Sequence, residues 1–112
     1  MIAADETVTI VGPNSEMGQG TFTALAQLVA EELDCDWAKV SAEFASPNEH
    51  VRRNRIWGSM STGGSQGVRS SQDYVRRAGA SAREMLVAAA AAQWNVPAAQ
   101  CTAASGVIAH GP

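Results

Sequence analysis

Residues 15–33 read SEMGQGTFTALAQLVAEEL, and this stretch decides how the N-terminal half of the chain folds. Its second part carries apolar side chains at three- and four-residue spacing: Phe22, Leu25, Val29 and Leu33. This spacing predicts one apolar stripe along an α-helix. Its first part places a glycine on each side of Gln19. Because glycine adopts backbone angles that other residues avoid, the sequence predicts a tight turn into the helix, with the Thr21 hydroxyl as a candidate cap.

Strands are predicted on both sides of this helix. Residues 7–11 alternate polar and apolar side chains, and residues 40–44 repeat that alternation, which is typical of strands with one buried face. Residues 46–64 contain Pro47, two asparagines and three glycines, which predicts a long irregular loop. Loops of this length usually have a function of their own or contact a partner.

The second half of the chain predicts one long helix and a hairpin. Residues 66–93 are helical in pattern, and Gly79 in their middle indicates that a neighbouring backbone packs closely there. Residues 101–103 and 107–109 flank Ser105-Gly106, which predicts a β-hairpin. The fold class expected for residues 1–112 is α+β: a single two-layer domain with two helices on one face of a small, mostly antiparallel sheet.

Two segments of the chain resemble each other. Residues 33–42 align with residues 94–103, and both read as a helix end, a short turn and a strand start. Asp34 and Asn95 fall where a left-handed residue ends a helix, a conformation that both side chains tolerate.

Composition excludes several classes of function. The net charge is −3 and charged residues make up 17% of the 112 residues, so neither nucleic acid nor an anionic membrane is an expected partner. No apolar run is long enough to span a membrane. The two cysteines form no CxxC pair, so no metal or redox motif is indicated. Compartment cannot be assigned, and bacterial cytoplasm and periplasm both stay open.

The ends of the chain suggest a segment of a larger protein. The sequence begins almost within a strand and stops just after residues 107–109. We therefore expect the single domain to be excised from a longer subunit.

Two glycine-containing turns precede helices: Gly18-Gln19-Gly20-Thr21 and Ser61-Thr62-Gly63-Gly64-Ser65. A helix N-terminus offers free N–H groups to an anion, and the Gln19 amide suits a flat heterocycle with ring N–H and C=O groups. Neither turn matches a known phosphate-loop fingerprint, so an ordinary structural turn stays an alternative. Glu16 is predicted to be a turn or cap residue rather than an acid. His50 and His110 have no adjacent partners, and no catalytic pair is predicted.

The block Glu16-Met17-Gly18-Gln19-Gly20-Thr21, followed by Thr62-Gly63-Gly64-Ser65 and an alanine-rich helix, resembles the xanthine dehydrogenase/aldehyde oxidase family of molybdenum hydroxylases. The resemblance covers residues 7–107 and points to the large, molybdopterin-binding subunit of the isoquinoline 1-oxidoreductase type. It implies that Gly18, Gln19, Gly20, Gly64 and Ser65 contact molybdopterin cytosine dinucleotide, whose molybdenum is held by the pterin and not by this segment.

The same resemblance implies what the intact protein does. It implies hydroxylation of aldehydes or N-heterocycles with oxygen from water. Its partners are expected to be the rest of the large subunit and an iron–sulfur small subunit or a cytochrome. The isolated chain is expected to be inactive, since the family's catalytic glutamate lies outside it. Two other functions stay open: a non-catalytic interaction module, and a free-standing binder of phosphorylated small molecules.

Overall fold

The structure of the protein is a computed structural model that describes residues 1–111. Its helices and strands follow the order β1 (Val8–Gly12), α1 (Thr21–Leu33), β2 (Val40–Phe44), α2 (Pro47–Arg52), α3 (Gln66–Arg69), α4 (Gln72–Trp94), β3 (Cys101–Ala104) and β4 (Val107–His110). Short 3-10 turns, Trp37–Lys39 and Ala98–Gln100, precede β2 and β3. The helices pack against the strands, so the predicted α+β class is confirmed.

The strands pair within two separate two-stranded sheets. β1 and β2 are parallel, with Val8 opposite Val40 and Gly12 opposite Phe44, whereas β3 and β4 form an antiparallel hairpin. This pairing differs in detail from the expected mostly antiparallel sheet. The reason is that α1 returns the chain from the end of β1 to the level of its start. β2 therefore begins beside the start of β1 and runs parallel to it.

The hairpin between β3 and β4 is confirmed, and it rests on the end of α1. Its two turn residues, Ser105 (φ 49°) and Gly106 (φ 81°), both have positive φ, as a tight two-residue turn requires. The Ser105 N–H donates to Asp34 Oδ1 at 3.0 Å, and the Gly106 N–H donates to the Asp34 carbonyl at 2.6 Å. Asp34 therefore joins the second sheet to the first helix.

Both long helices end in the same way, as the internal similarity predicts. Asp34 ends α1 with φ 56°, and Asn95 ends α4 with φ 57°. In each case the next residue's N–H reaches back to the helix, from Cys35 to Ala30 and from Val96 to Ala91. These bonds satisfy helix carbonyls that otherwise lack a donor.

The core lies where α4 crosses α1. Its buried residues include Leu25, Ala26, Ala30 and Leu33 of α1, and Gly79 and Ala91 of α4. A Cβ added at Gly79 would lie 2.5 Å from the Val29 carbonyl oxygen and 3.0 Å from the Glu32 Cβ. The predicted close approach of a neighbouring backbone is therefore confirmed, and glycine is required there for space.

Two predicted segments differ from the observed ones. The loop of residues 46–64 begins with helix α2, because Ser46 accepts a hydrogen bond from the Glu49 N–H and proline occupies the first turn. This is a helix-start signature within an otherwise polar stretch. The long helix breaks at Ser70–Ser71 into α3 and α4. Ser71 is buried there, and its Oγ accepts a hydrogen bond from the Tyr74 hydroxyl at 2.9 Å.

The chain exposes more surface than a free-standing domain of its mass. Its accessible area is 7351 Å², whereas a compact monomer of this mass exposes about 5,900 Å². Its radius of gyration is 15.7 Å, against roughly 13 Å for a compact domain of this length. Large apolar side chains such as Phe44, Met85 and Val107 are more than half exposed. The excess, about 1,500 Å² on this one chain, is roughly twice the area that one partner contributes to a protein–protein interface of standard size.

Candidate cofactor-binding site

The first predicted turn is built around two glycines with left-handed backbone angles. Gly18 has φ 93° and Gly20 has φ 77°, backbone conformations that residues with a Cβ rarely adopt. A Cβ at either position would meet no heavy atom within 4 Å. The glycines are therefore required for the turn itself, and the space beside them is open to an approaching molecule.

The carboxylate of Glu16 closes this turn over the start of α1. Its Oε1 accepts hydrogen bonds from the Gly18 N–H at 2.7 Å and the Gly20 N–H at 3.0 Å, and its Oε2 accepts from the Phe22 N–H at 3.2 Å. The backbone bond from Gly20, followed by those from the other amides, holds the pKa of Glu16 below its ordinary value of 4.5. Glu16 is therefore a cap residue, as predicted, and not an acid.

Thr21 does not cap the helix. The N-cap position is Gly20, and no side chain at that position accepts a hydrogen bond. The expectation that the Thr21 hydroxyl caps α1 is wrong, because the Glu16 carboxylate, four residues before the N-cap, accepts hydrogen bonds from the N-cap Gly20 N–H and from the Phe22 N–H in the first helical turn.

The side chain of Gln19 stabilises the turn by hydrogen bonds to its backbone. Its Nε2 donates to the Ser15 carbonyl at 2.8 Å, and its Oε1 accepts from the Met17 N–H at 2.6 Å. A glutamine amide carries two N–H donors and two acceptor lone pairs. One donor and one lone pair of Gln19 therefore remain for a ligand, without any change of the turn.

The second predicted turn also uses left-handed residues. Gly64 has φ 60° and Ser65, which precedes α3, has φ 54° with no side-chain cap bond. A Cβ at Gly63 would meet nothing within 4 Å, so this turn too is open on one side. Among the hydrogen bonds of residues 61–66 in the described part of the chain, none is accepted by a carboxylate.

The structure brings the two turns together. The Asn14 Nδ2 donates to the Ser61 carbonyl at 3.1 Å, and the Ser15 N–H donates to the Thr62 hydroxyl oxygen at 2.8 Å. We call these two bonds the clasp. The helices behind the turns are also in contact, because a Cβ at Gly67 would lie 2.6 Å from the Thr21 Cγ2.

A polar cleft adjoins the clasp on the side of the second turn. It has a volume of about 550 Å³, and its lining includes Asn14, Ser61, Gly64, Ser71 and Tyr74. Asn14 exposes only 8% of its surface. Its Oδ1 is buried without a hydrogen-bond partner within residues 1–111. Asn14 was not among the predicted site residues. The sequence feature that could have indicated it is an asparagine that lies between a strand and the glycine turn.

The two histidines are engaged elsewhere. His50 is buried, and its Nδ1 accepts a hydrogen bond from the Trp57 N–H at 3.3 Å. His110 Nε2 lies 3.2 Å from Gln100 Oε1 in the hairpin region. Within residues 1–111 no cluster of three or more histidine, cysteine, aspartate or glutamate side chains is placed to hold a metal ion.

These observations set two chemical conditions for a ligand that would fit the site. At the first turn, three amides are already bound by a carboxylate, which suits a neutral ring that exchanges hydrogen bonds with Gln19. The negative part of a ligand is better received at the second turn, where no carboxylate competes. A large heterocycle bearing a phosphate, such as molybdopterin, meets both conditions.

Comparison with known proteins agrees with this chemistry. The family model described as the molybdopterin cofactor-binding domain matches residues 1–111. The chain belongs to this family, which confirms the resemblance predicted from the two turns and the predicted molybdopterin cofactor.

Two curated relatives extend over nearly the whole chain. Isoquinoline 1-oxidoreductase subunit beta of Brevundimonas diminuta is 44% identical over 110 residues, which cover 97% of this chain and 14% of that protein. Membrane-bound aldehyde dehydrogenase [pyrroloquinoline-quinone] of Gluconacetobacter polyoxogenes is 36% identical over 110 residues, covering 98% of this chain and 14% of that protein. The chain thus spans about a seventh of the length of these relatives. No helix within residues 1–111 has the length and apolarity needed to cross a membrane.

Proposed function

We propose that this chain forms one wall of the molybdopterin site in the large subunit of a molybdenum hydroxylase. The subunit hydroxylates aldehydes or N-heterocycles with oxygen from water. The observation that carries the proposal is the juxtaposition of the two glycine turns by the clasp, with open space beside Gly18, Gly20 and Gly63.

Each turn has its own role in binding. Gly18, Gln19 and Gly20 hold the pterin ring: the glycines leave room for its approach, and the free donor and lone pair of Gln19 bond its edge. Gly64 and Ser65 receive the phosphate-bearing part, since within residues 1–111 no carboxylate accepts a hydrogen bond from the groups of this turn. The Glu16 carboxylate repels a phosphate from the first turn, which fixes the direction of the ligand between the turns.

The chemistry itself comes from the cofactor. When bound, molybdopterin supplies the redox step through its molybdenum, and the groups of this chain bind and orient it. No residue here acts as a catalytic acid, base or nucleophile. We assign the cofactor as the cytosine dinucleotide form, and the electron acceptor as an iron–sulfur small subunit or a cytochrome.

The chain is, in this proposal, an excised domain of the larger subunit. The support is physical: an accessible area of 7351 Å² exceeds that of a compact monomer by about 1,500 Å². The rest of the large subunit covers the exposed apolar side chains, which include Phe44 and Met85.

The test is the metal and nucleotide content of the complete large subunit, purified from a host that makes the cofactor. We expect near-stoichiometric molybdenum, and cytidine monophosphate after acid hydrolysis. A protein that carries no molybdenum but a quinone, which is the cofactor in the name of the aldehyde dehydrogenase relative, would refute the proposal. Another nucleotide would refute only the cytosine form.

A matched pair of variants tests the site. Gln19→Ala removes the amide that bonds the pterin, and Gln27→Ala removes an exposed glutamine from the outer side of α1. We expect lower molybdenum occupancy in the first variant and wild-type occupancy in the second. Equal occupancy in both would exclude Gln19 from the site.

A further inference from the structure

Asn14 occupies a position with an unmet hydrogen bond. The residue is more than nine-tenths buried, and one of its two polar side-chain atoms, Nδ2, is used by the clasp. The other atom, Oδ1, is buried without a donor in the part of the chain that the structure describes. Buried polar atoms in native proteins are nearly always paired, so a donor is expected from an ordered water or from a molecule bound next to Asn14.

The clasp is also the direct side-chain connection between the two turns. Each of its bonds joins residues that are 47 positions apart in the sequence. The first turn leads into α1 and the second into α3, and neither segment is held to the other by strand pairing. Besides the contact between α1 and α3, the separation of the two turns therefore depends on the Asn14 amide and on the hydroxyl of Thr62.

From these observations we propose that Asn14 is a positioning residue: together with Thr62 it sets the distance between the two turns that a single cofactor must bridge. The inference rests on the proposed function. The cofactor contacts backbone and side chains on both turns, so a change in their spacing weakens binding even when each turn keeps its own conformation. The free Oδ1 accepts a hydrogen bond from the water or ring N–H that fills the adjoining cleft.

Two variants weaken the clasp with little change of shape. Asn14→Asp keeps the size of the side chain but replaces the Nδ2 donor by an oxygen that faces the Ser61 carbonyl. Thr62→Val removes the hydroxyl that the Ser15 N–H requires, and Thr62→Ser retains it. Ser41→Ala is the control, because it removes a hydroxyl bond to Thr9 on the exposed face of the β1–β2 sheet.

The measurement is the rate at which the complete, cofactor-loaded large subunit loses molybdenum during dialysis. Loss of one hydrogen bond predicts a release rate about tenfold faster for Asn14→Asp and for Thr62→Val. Thr62→Ser and Ser41→Ala should release molybdenum at the wild-type rate. Thermal melting of the cofactor-free variants accompanies the measurement, since a merely structural role would change melting and leave the release rate alone.

The outcomes separate this inference from the function on which it rests. If the wild-type subunit contains no molybdopterin, the proposed function fails. If the wild type contains it and Thr62→Val retains it as long as Thr62→Ser does, only the positioning role fails. Should Asn14→Asp fail to fold, the two Thr62 variants alone decide the result.

Discussion

Replacing Gly79 by alanine should destabilise the protein, although alanine is the better helix former. Gly79 lies within α4, and a Cβ there would stand 2.5 Å from the Val29 carbonyl oxygen and 3.3 Å from the Leu33 backbone nitrogen. These atoms belong to the backbone of α1, so no side-chain rotation relieves the contact. The two helices have to move apart at their tightest crossing.

The size of the effect follows from two opposing contributions. Alanine in place of glycine favours a helix by about 1 kcal/mol. Overpacking a tight core typically costs about 1–3 kcal/mol, and a clash with backbone belongs at the upper end. We therefore expect Gly79→Ala to lower the free energy of unfolding by about 2 kcal/mol, a large part of the stability of a small domain.

Urea denaturation measures this difference, with Ala78→Gly as the matched variant. Ala78 is the exposed neighbour in the same helix, so its change to glycine reports helix propensity alone and should cost about 1 kcal/mol. The reasoning is refuted if Gly79→Ala is as stable as the wild type or more stable, because helix propensity would then outweigh the packing at the crossing.

Four further results are expected. Asn95→Ala should lower the free energy of unfolding by about 1 kcal/mol, because alanine tolerates the left-handed conformation at φ 57° less well than asparagine does. Asn95→Gly should not destabilise the protein, and thermal melting distinguishes the two variants. Because the folded-state pKa of Glu16 lies below 4.5, its stabilising bonds are fully present above that pH and are lost as the pH falls through the folded value. Glu16→Gln should therefore flatten the acid limb of a melting-temperature profile. Arg76 contacts Glu32 at 2.6 Å, but 42% of its side chain is exposed, so Arg76→Ala should cost only about 0.5 kcal/mol and less at high salt, as denaturation in added salt would show. The isolated chain should bind cofactor weakly in a titration, because the other walls of the site are absent.

Features that depend on local sequence were predictable. The apolar stripe defined the bounds of α1, Ser105-Gly106 identified the hairpin, and Gly79 indicated the helix crossing. In each case the determining interactions lie within a few residues, or the residue type itself is diagnostic.

Features that depend on distant parts of the chain were not predictable. The parallel pairing of β1 with β2 is set by the path of α1, which the alternation of strand residues does not report. Helix α2 was not predicted because Ser46 and Pro47, which begin it, lie in a polar stretch whose composition is typical of a loop. Asn14 was missed because its partner, Ser61, is 47 residues away.

The candidate site shows the same division. The two turns were visible as glycine patterns, but their contact through the clasp required the folded chain. The prediction that the start of α1 would attract an anion is also modified, because the protein's own Glu16 already binds the Phe22 amide in the helix and the Gly18 and Gly20 amides just before it. A sequence pattern indicates a receptive helix terminus, but it does not reveal which side chain folds back onto it.

The most direct test of the central claim is an experimental structure of the complete large subunit with its cofactor bound. The account predicts the pterin ring within hydrogen-bond distance of Gln19, and the phosphate-bearing part next to Gly64 and Ser65, with Glu16 still bonded to the amides of the first turn. Cofactor density on another face of this domain, with both turns in contact only with protein, would contradict it.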